Sequence, residues 1–319
     1  MAEPRARAEE IRRLIGPLRV PPGRAVTLAK DFDPRSTAGL LHEQDSDQSL
    51  QATVELLAEY QDRLAAQATT GLLVVLQGLD ASGKDGTVRH VMSGVNPQGL
   101  VVHSFKAPSV EELAHDFLWR AACHLPERGQ IGIFNRSHYE EVLVVRVHPE
   151  LLEQEHLPPA ARHGGIWKRR FREINNWERH LVENGITVVK LLLNISREEQ
   201  RIRFLKRIDQ AEKNWKFSPA DAREREYWDD YQEAMSDMLS HTSTEWAPWY
   251  VIPADHKWFA RIAAAAVLAH ALIELDPHYP TVDPATRQAL QEEGRKLEAE
   301  AHTAFVAGEL GSDAIWSWR

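Results

Sequence analysis

The chain has 319 residues, 43% hydrophobic and 27% charged, a balance that fits a soluble globular protein with its own core and excludes a disordered or low-complexity chain. Its net charge of −9 argues against a nucleic-acid partner, and a single cysteine, Cys123, excludes an intramolecular disulfide. The charge is uneven: 16 Lys and Arg fall between Arg162 and Arg225, either as a solvated helical face or as a path for a polyanion.

Residues 1–45 are rich in Pro, Arg and Gly without a sustained period and are predicted to form an extended arm with one short helix. The charged start MAEPRARAEEIRR lacks the apolar core of a secretory leader, so a cytoplasmic location is expected. Leu50, Val54, Leu57, Tyr60 and Leu64 keep helical spacing over 48–68. The run Leu72–Leu76 is short, branched and bounded by glycines, as a buried parallel strand should be.

Strands are then predicted at 101–105, 131–134, 187–193 and 250–252, alternating with helices. One helix is expected over 110–124, with Ser109 as N-cap and Glu112 as its capping-box partner. Another is expected over 166–183, and a third after Ser196, with Glu199 three residues on. The stretch 197–241 reads as two helices inserted between sheet strands, where a P-loop kinase carries its lid. The longest apolar run, Ile262–Leu275, is broken by His270 and Glu274 and is shorter than the ~20 residues that span a bilayer. It is predicted to be a buried helix, and no membrane contact is expected. A Pro-rich link and a charged helix at 284–301 follow.

Gly78-Leu-Asp-Ala-Ser-Gly83-Lys84 has the P-loop spacing directly after a strand and before a helix. Glycines let successive backbone N–H groups of Gly78, Ala81, Ser82, Gly83, Asp85, Gly86 and Thr87 face one concavity. The helix dipole and Lys84 add positive charge there. Asp85 stands where a Mg²⁺-binding Ser or Thr is usual, and Thr87 is the alternative. Asp80 lies inside the turn, where phosphates would repel it unless a cation intervened, so it is a candidate metal ligand. The plain alternative is an Asp that stabilises the turn.

Phe134-Asn135-Arg136-Ser137-His138-Tyr139-Glu140-Glu141 follows the strand at 131–134, and such strand ends face the ligand in open α/β sheets. Arg136 is placed to bridge phosphates and stabilise charge in flight. Glu140 and Glu141 either supply anionic charge or simply suit the first turn of a helix. His138 and His90 are candidates for a phosphohistidine route, but neither has an identifiable partner.

With these residues in view, the chain resembles the polyphosphate kinase 2 family from about residue 30 to 275. The carrying segments are GLDASGKDGTVRHVMSGVNPQG (78–99), FNRSHYEEVLVVRVH (134–148), REINNWERHL (172–181), SREEQRIRFLKRIDQAEKNWKFSPADAREREYWDDY (196–231) and TSTEWAPWYVIPADHKWFARI (242–262). The resemblance implies an α/β, P-loop kinase-like, three-layer α/β/α fold with a parallel sheet and a helical lid. It implies inorganic polyphosphate and adenine nucleotides as substrates, guanine nucleotides as the second choice, and Mg²⁺, with Mn²⁺ as the alternative. The family's loop aspartate and lysine map onto Asp80 and Lys84, and its strand-end arginine onto Arg136. Its lid arginines map onto Arg203 and Arg207, with Lys206, Lys213 and Lys216 nearby.

Asn135 and the following Ser137, Tyr139, Glu140 and Glu141 resemble the subgroup that phosphorylates both AMP and ADP, and with Arg136 they form the expected nucleotide-binding set. Trp215, Trp228 and Trp249 are expected to pack in lid and core rather than stack on a base. The expected organisation is an arm (1–45), a P-loop phosphotransferase domain (46–275) with its lid at about 197–241, and a helical tail (276–319). A homo-oligomer is expected. An ATP-dependent nucleoside monophosphate kinase and a non-catalytic phosphate-binding module are the rival readings.

Overall fold

The structure, a computed structural model, describes residues 2–40, 46–162 and 164–306. Residues 41–45 of the expected arm, the end of the tail at 307–319 and the side chain of Lys216 lie outside the described residues.

Five parallel strands form one sheet in the order β2-β3-β1-β4-β5: β1 is Gly71–Gln77, β2 Leu100–Ser104, β3 Ile131–Asn135, β4 Ile186–Asn194 and β5 Trp249–Pro253. β1 lies centrally and is buried throughout. Its alternation explains the unbroken apolar run. Leu72, Val74 and Leu76 pack into the core on one face, and Leu73 and Val75 into the core on the other. Each such side chain contributes about 1.5–3 kcal/mol through removal from water.

The first face is covered by α1 (Ala2–Ile15), α2 (Ser46–Gln67), α3 (Lys84–Val91) and α8 (Lys257–Leu275). α8 is long and apolar enough to cross a membrane by composition, yet Ala263–Ala269 are buried in this core. The second face is covered by α4 (Ile166–Glu183) and α7 (Trp228–Thr242). The layering is α/β/α, as expected.

Some elements differ from expectation. The N-terminal stretch is not an extended arm. Ile11 and Ile15 of α1 are buried in the core with α8, and Arg19 bridges to Tyr250 on the edge of β5. The helix expected over 110–124 is two short turns, Val110–Leu113 and Trp119–Ala122. The Ser109/Glu112 capping box forms in full, but Asp116 then accepts the Leu118 N–H and starts a new turn. At Ser196 only half the box forms. Ser196 Oγ accepts from Glu199 N, while Glu199's carboxylate turns to Arg203 and Ser196 N donates to Asp255. The insertion after β4 holds α5 (Arg197–Asp209), a 3₁₀ turn (Ala211–Lys216), α6 (Pro219–Glu224) and α7, more pieces than the two helices expected. Met1–His278 form one unit. Tyr279–Arg319 form a second, described over 279–306 and containing α9 (Pro284–Val306), capped by Asp283 on Thr286 N.

Candidate active site

The turn between β1 and α3 begins at Gly78, whose φ is +149°. A Cβ there would lie 2.8 Å from the Leu193 carbonyl oxygen and 2.8 Å from Ser82 Oγ, so no other residue fits. Gly83 (φ +109°) opens α3, and Ala81 between them also adopts a positive φ of +64°. Arg136 is the other non-glycine residue of the site with positive φ, +62°, and its N–H donates to the Leu76 carbonyl at 3.0 Å. That backbone costs on the order of 1–3 kcal/mol at such positions and persists because the strands hold it. The conformation aims the Arg136 side chain across the end of β1.

Lys84 folds back over the turn, its Nζ donating to the carbonyls of Gly78 and Leu79. Burial, followed by the charge of Arg136, lowers its pKa to about 8. Arg136 Nη2 lies 2.7 Å from Asp80 Oδ1 and its Nη1 3.5 Å from Glu140 Oε2. Burial disfavours this guanidinium's charge, but Glu140 and Asp80 outweigh it and raise its pKa. Asp80, Lys84 and Arg136 therefore meet at one place, as expected. Asn135 Nδ2 donates to exposed Asp85 at 2.8 Å, while its Oδ1 is buried without a partner. Thr87 is buried in the first turns of α3, and Gly86 has open space around it.

A cleft of about 600 Å³, open solvent included, lies beside the turn between the β3 end and the lid; Asp80, Arg136 and Glu140 line it. The other expected nucleotide-binding residues do not. Ser137 is buried, accepting from Gln77 and from Tyr139 N. Tyr139 is fully buried, donating to Glu178 Oε1 at 2.8 Å and accepting from Lys190. Lys190 also reaches Glu178 Oε2 at 2.6 Å and the Thr242 carbonyl at 2.7 Å. Burial alone would raise the pKa of Glu178, but Lys190 and His138 carry it below the usual carboxylate value. His138 is buried against Trp177, 3.5 Å from Glu178, so it does not face the cleft and a phosphohistidine route through it has no geometric basis. His90 sits on α3 with Nδ1 on the Gly86 carbonyl. Glu141 binds Arg170 at 2.9 Å in the core, and burial pushes its pKa up to about 8 against the pull of that arginine. The segment alternates between cleft and core because it winds as a 3₁₀ turn, His138–Val142.

The lid residues divide too. Arg203 is buried, and its guanidinium donates to the carbonyls of Ala81, Ser82, Ala254 and Asp255 and to Glu199. It braces the turn from outside. Lys206 and Lys213 are exposed, with Lys213 bonded to Gln210, and Arg207 stacks over Phe204. Sequence reasoning missed Lys257, whose pKa is lowered by burial and then by Arg203, Lys206 and Lys213, which marks a shared cationic surface. It also missed Gln200, Arg225 and Tyr231, all of which line the cleft. Trp249 is fully buried as expected, Trp215 is largely exposed, and Trp228 lines the cleft instead of packing away.

The family described as Polyphosphate kinase 2 matches this chain over residues 40–279. The chain belongs to the polyphosphate kinase 2 family. It is 51% identical to an ADP-polyphosphate phosphotransferase of Rhodopseudomonas palustris, covering 78% of this chain and 86% of that one. It is 42% identical to an AMP/ADP-polyphosphate phosphotransferase of Meiothermus ruber, covering 82% and 95%. A solved polyphosphate kinase 2 from Arthrobacter aurescens, 42% identical, superposes with a TM-score of 0.77 over 86% of this chain and 95% of that one. The chain is thus a phosphotransferase with a P-loop kinase-like fold.

Proposed function

We propose that the chain moves the terminal phosphoryl group of inorganic polyphosphate to a terminal phosphate oxygen of ADP and of AMP, reversibly. The observation that carries this is the convergence of Lys84, Asp80 and Arg136 at the phosphate-binding turn, with Asp80 and Arg136 lining the cleft beside it. The names of the two relatives support the acceptors.

The attacking oxygen of a nucleotide phosphate is already ionised, so the transfer needs no strong general base. As the new P–O bond forms, the bridging P–O bond of the chain's end breaks, and the shortened chain leaves with the bonding pair. Lys84 and the turn N–H groups other than those of Ser82 and Thr87, which donate to the carbonyls of Leu79 and Gly83, hold the phosphoryl oxygens. Arg136, fixed by its backbone bond to β1, meets charge shared between donor and acceptor.

Mg²⁺, with Mn²⁺ as the alternative, fits the oxygens available. Among the described residues no group of three or more His, Cys, Asp or Glu forms a ready-made cage. The carboxylates of Asp80 and Asp85 and the unpartnered Asn135 Oδ1 are hard donors beside the turn. One or two carboxylates completed by phosphate oxygens and water suit Mg²⁺. When bound, it neutralises phosphate charge. The exposed cations Lys206, Lys213 and Lys257 support a path for the polyphosphate chain, whose charges they would hold in succession.

The test is enzyme, Mg²⁺, long-chain polyphosphate and either AMP or ADP, without ATP. Formation of ADP from AMP and of ATP from ADP is expected. No phosphorylation of either nucleotide refutes the reading, and ADP from AMP without ATP from ADP refutes the dual-acceptor part alone.

A further inference from the structure

Arg136 and Glu140 line the cleft, while Ser137, Tyr139 and Glu141 of the same segment are buried. Each of the three buried residues is tied to the core. Ser137 Oγ accepts from Gln77 Nε2 of β1 at 3.1 Å. Tyr139 OH donates to Glu178 Oε1 of α4 at 2.8 Å and accepts from Lys190 Nζ of β4 at 2.9 Å. The carbonyl and the carboxylate of Glu141 accept from Arg170 Nη1 of α4 at 3.0 Å and 2.9 Å. The cleft-facing pair therefore stands on a segment anchored at every second residue.

Arg136 needs such anchoring more than its neighbours do. Its φ of +62° is one that a residue with a side chain keeps only where the surroundings over-determine it. On the entering side, its N–H donates to the Leu76 carbonyl at 3.0 Å. On the leaving side, the hydrogen bonds of Ser137 and Tyr139 do the holding. Ser137 Oγ also accepts from Tyr139 N at 3.1 Å, so a shift of Tyr139 passes to Ser137 and to the peptide that follows Arg136. Relaxation of that peptide toward an ordinary φ would swing the guanidinium off Asp80.

Packing alone would not call for charge beneath this segment. Tyr139 already lies edge-on to Trp249, with ring centroids 4.8 Å apart. Such apolar contacts fill space but are non-directional. A buried ion pair such as Glu178 and Lys190, 2.6 Å apart, gives a fold little that well-packed apolar groups would not. What the pair adds is direction. Two oriented bonds on one hydroxyl fix the ring along its length, which runs from the turn to α4 and β4. Lys190 is itself held by the Thr242 carbonyl at 2.7 Å, so the hydroxyl meets a donor anchored apart from the turn. Burial, followed by the charge of Glu178, raises the pKa of the phenol, which keeps the proton it donates.

We infer that Tyr139, oriented by Glu178 and Lys190, is a positioning residue for Arg136. It touches neither substrate and holds the turn that aims the guanidinium across the end of β1. The inference rests on the reading of Arg136 as the group that meets charge during transfer.

Tyr139→Phe keeps the ring and removes only the hydroxyl. Transfer from polyphosphate to ADP is measured with Mg²⁺ for the wild type, Tyr139→Phe, Arg136→Ala and the double variant, each as the full chain. Tyr139→Phe should lower kcat ~10-fold, less than the ~10²-fold cost of a misplacement of about 1 Å, with KM for ADP and for polyphosphate within about twofold of wild type. In Arg136→Ala the hydroxyl has nothing left to aim, so adding Tyr139→Phe should lower kcat by less than about twofold further. A merely structural role predicts instead that the two losses multiply. Urea denaturation checks that each variant is folded at the assay temperature, and a crystal structure of Tyr139→Phe should show the Arg136 guanidinium displaced from Asp80. Wild-type kcat in Tyr139→Phe, or a further ~10-fold loss in the double variant, overturns the inference. An unmoved Arg136–Asp80 pair in the crystal overturns it whether or not the protein turns over. Wild-type kcat in Arg136→Ala refutes the reading of Arg136 and this inference with it. An impaired Arg136→Ala beside an unimpaired Tyr139→Phe sinks this inference alone.

Discussion

Arg203 Nη1 lies 2.9 Å from the Ala81 carbonyl oxygen and 2.8 Å from that of Ser82, so the lid helix α5 holds two consecutive peptide units of the phosphate-binding turn. In a trans peptide the carbonyl and the following N–H point opposite ways. Pinning the carbonyls toward α5 turns the N–H groups of Ser82 and Gly83 away from it. The family's lid arginine at this position thus acts here on the turn itself.

Arg203→Lys keeps a charge but not the fork that reaches four carbonyls. Buried carbonyls left without donors cost about 1–3 kcal/mol. Chemical denaturation should show a loss of that size. kcat/KM should fall ~10²-fold, because small displacements of a positioning element have effects of that order. A stable variant with unchanged kcat/KM would remove Arg203 from the turn's support.

A second prediction concerns the buried pair Lys190 and Glu178. Lys190→Met or Glu178→Gln alone leaves an uncompensated buried group and should cost about 3–5 kcal/mol. The double variant Lys190→Met/Glu178→Gln should recover much of that. Glu178's lowered pKa sets the sign of the pH effect. Its contribution is present above the unfolded carboxylate's pKa and is lost as pH falls through the folded value. Urea midpoints for the singles and the double, across acid pH, check both points. Additive losses in the double would show that the two groups do not act as a pair.

The central strand, the turn and the layering were legible because each rests on local pattern: an unbroken apolar run, glycines at fixed spacing, alternating strands and helices. Asp80, Lys84 and Arg136 were legible as chemistry tied to strand ends. Tyr139 and Glu141 were read as site residues because the segment after Arg136 resembles the subgroup that phosphorylates both AMP and ADP. A 3₁₀ turn sends them into the core, where Lys190 and Arg170 receive them. Lys190 itself was hidden inside an apolar strand, with a partner 12 residues away on α4. Arg225 and Trp228 come from the lid, and their place depends on how several short helices fold back over the turn. No periodicity in the sequence encodes that.

Lys84 makes the site sensitive to pH. With its pKa lowered to about 8, the free protein loses this cation as pH rises through that value. Phosphate binding favours the charged amine, so affinity should weaken above pH 8, by at most about tenfold per pH unit for one proton. Lys84→Arg, whose guanidinium stays charged, should flatten that fall even if it lowers activity. Binding of tripolyphosphate measured between pH 6.5 and 9.5 checks it. An equally steep fall in Lys84→Arg would place the titration elsewhere.

Asp80 gives the sharpest test of how the site handles charge. Its carboxylate lies 2.7 Å from Arg136 and beside the turn that would hold phosphates, so only a positive neighbour makes its charge tolerable there. Asp80→Asn keeps the shape and the Gln200 bond to its carbonyl but removes the charge. If Asp80 contributes oxygen to a divalent cation, kcat should fall ~10³-fold, in line with the loss of one electrostatic element of a transfer site. The Mg²⁺ concentration for half-maximal activity should rise by at least about tenfold, the weakening expected when a coordinating group or its support is lost. If Asp80 serves only to hold Arg136, the Mg²⁺ requirement should stay fixed while kcat drops. Near-full activity in Asp80→Asn with an unchanged Mg²⁺ requirement would exclude both roles. Activity titrated against Mg²⁺ at saturating ADP and polyphosphate separates the three outcomes.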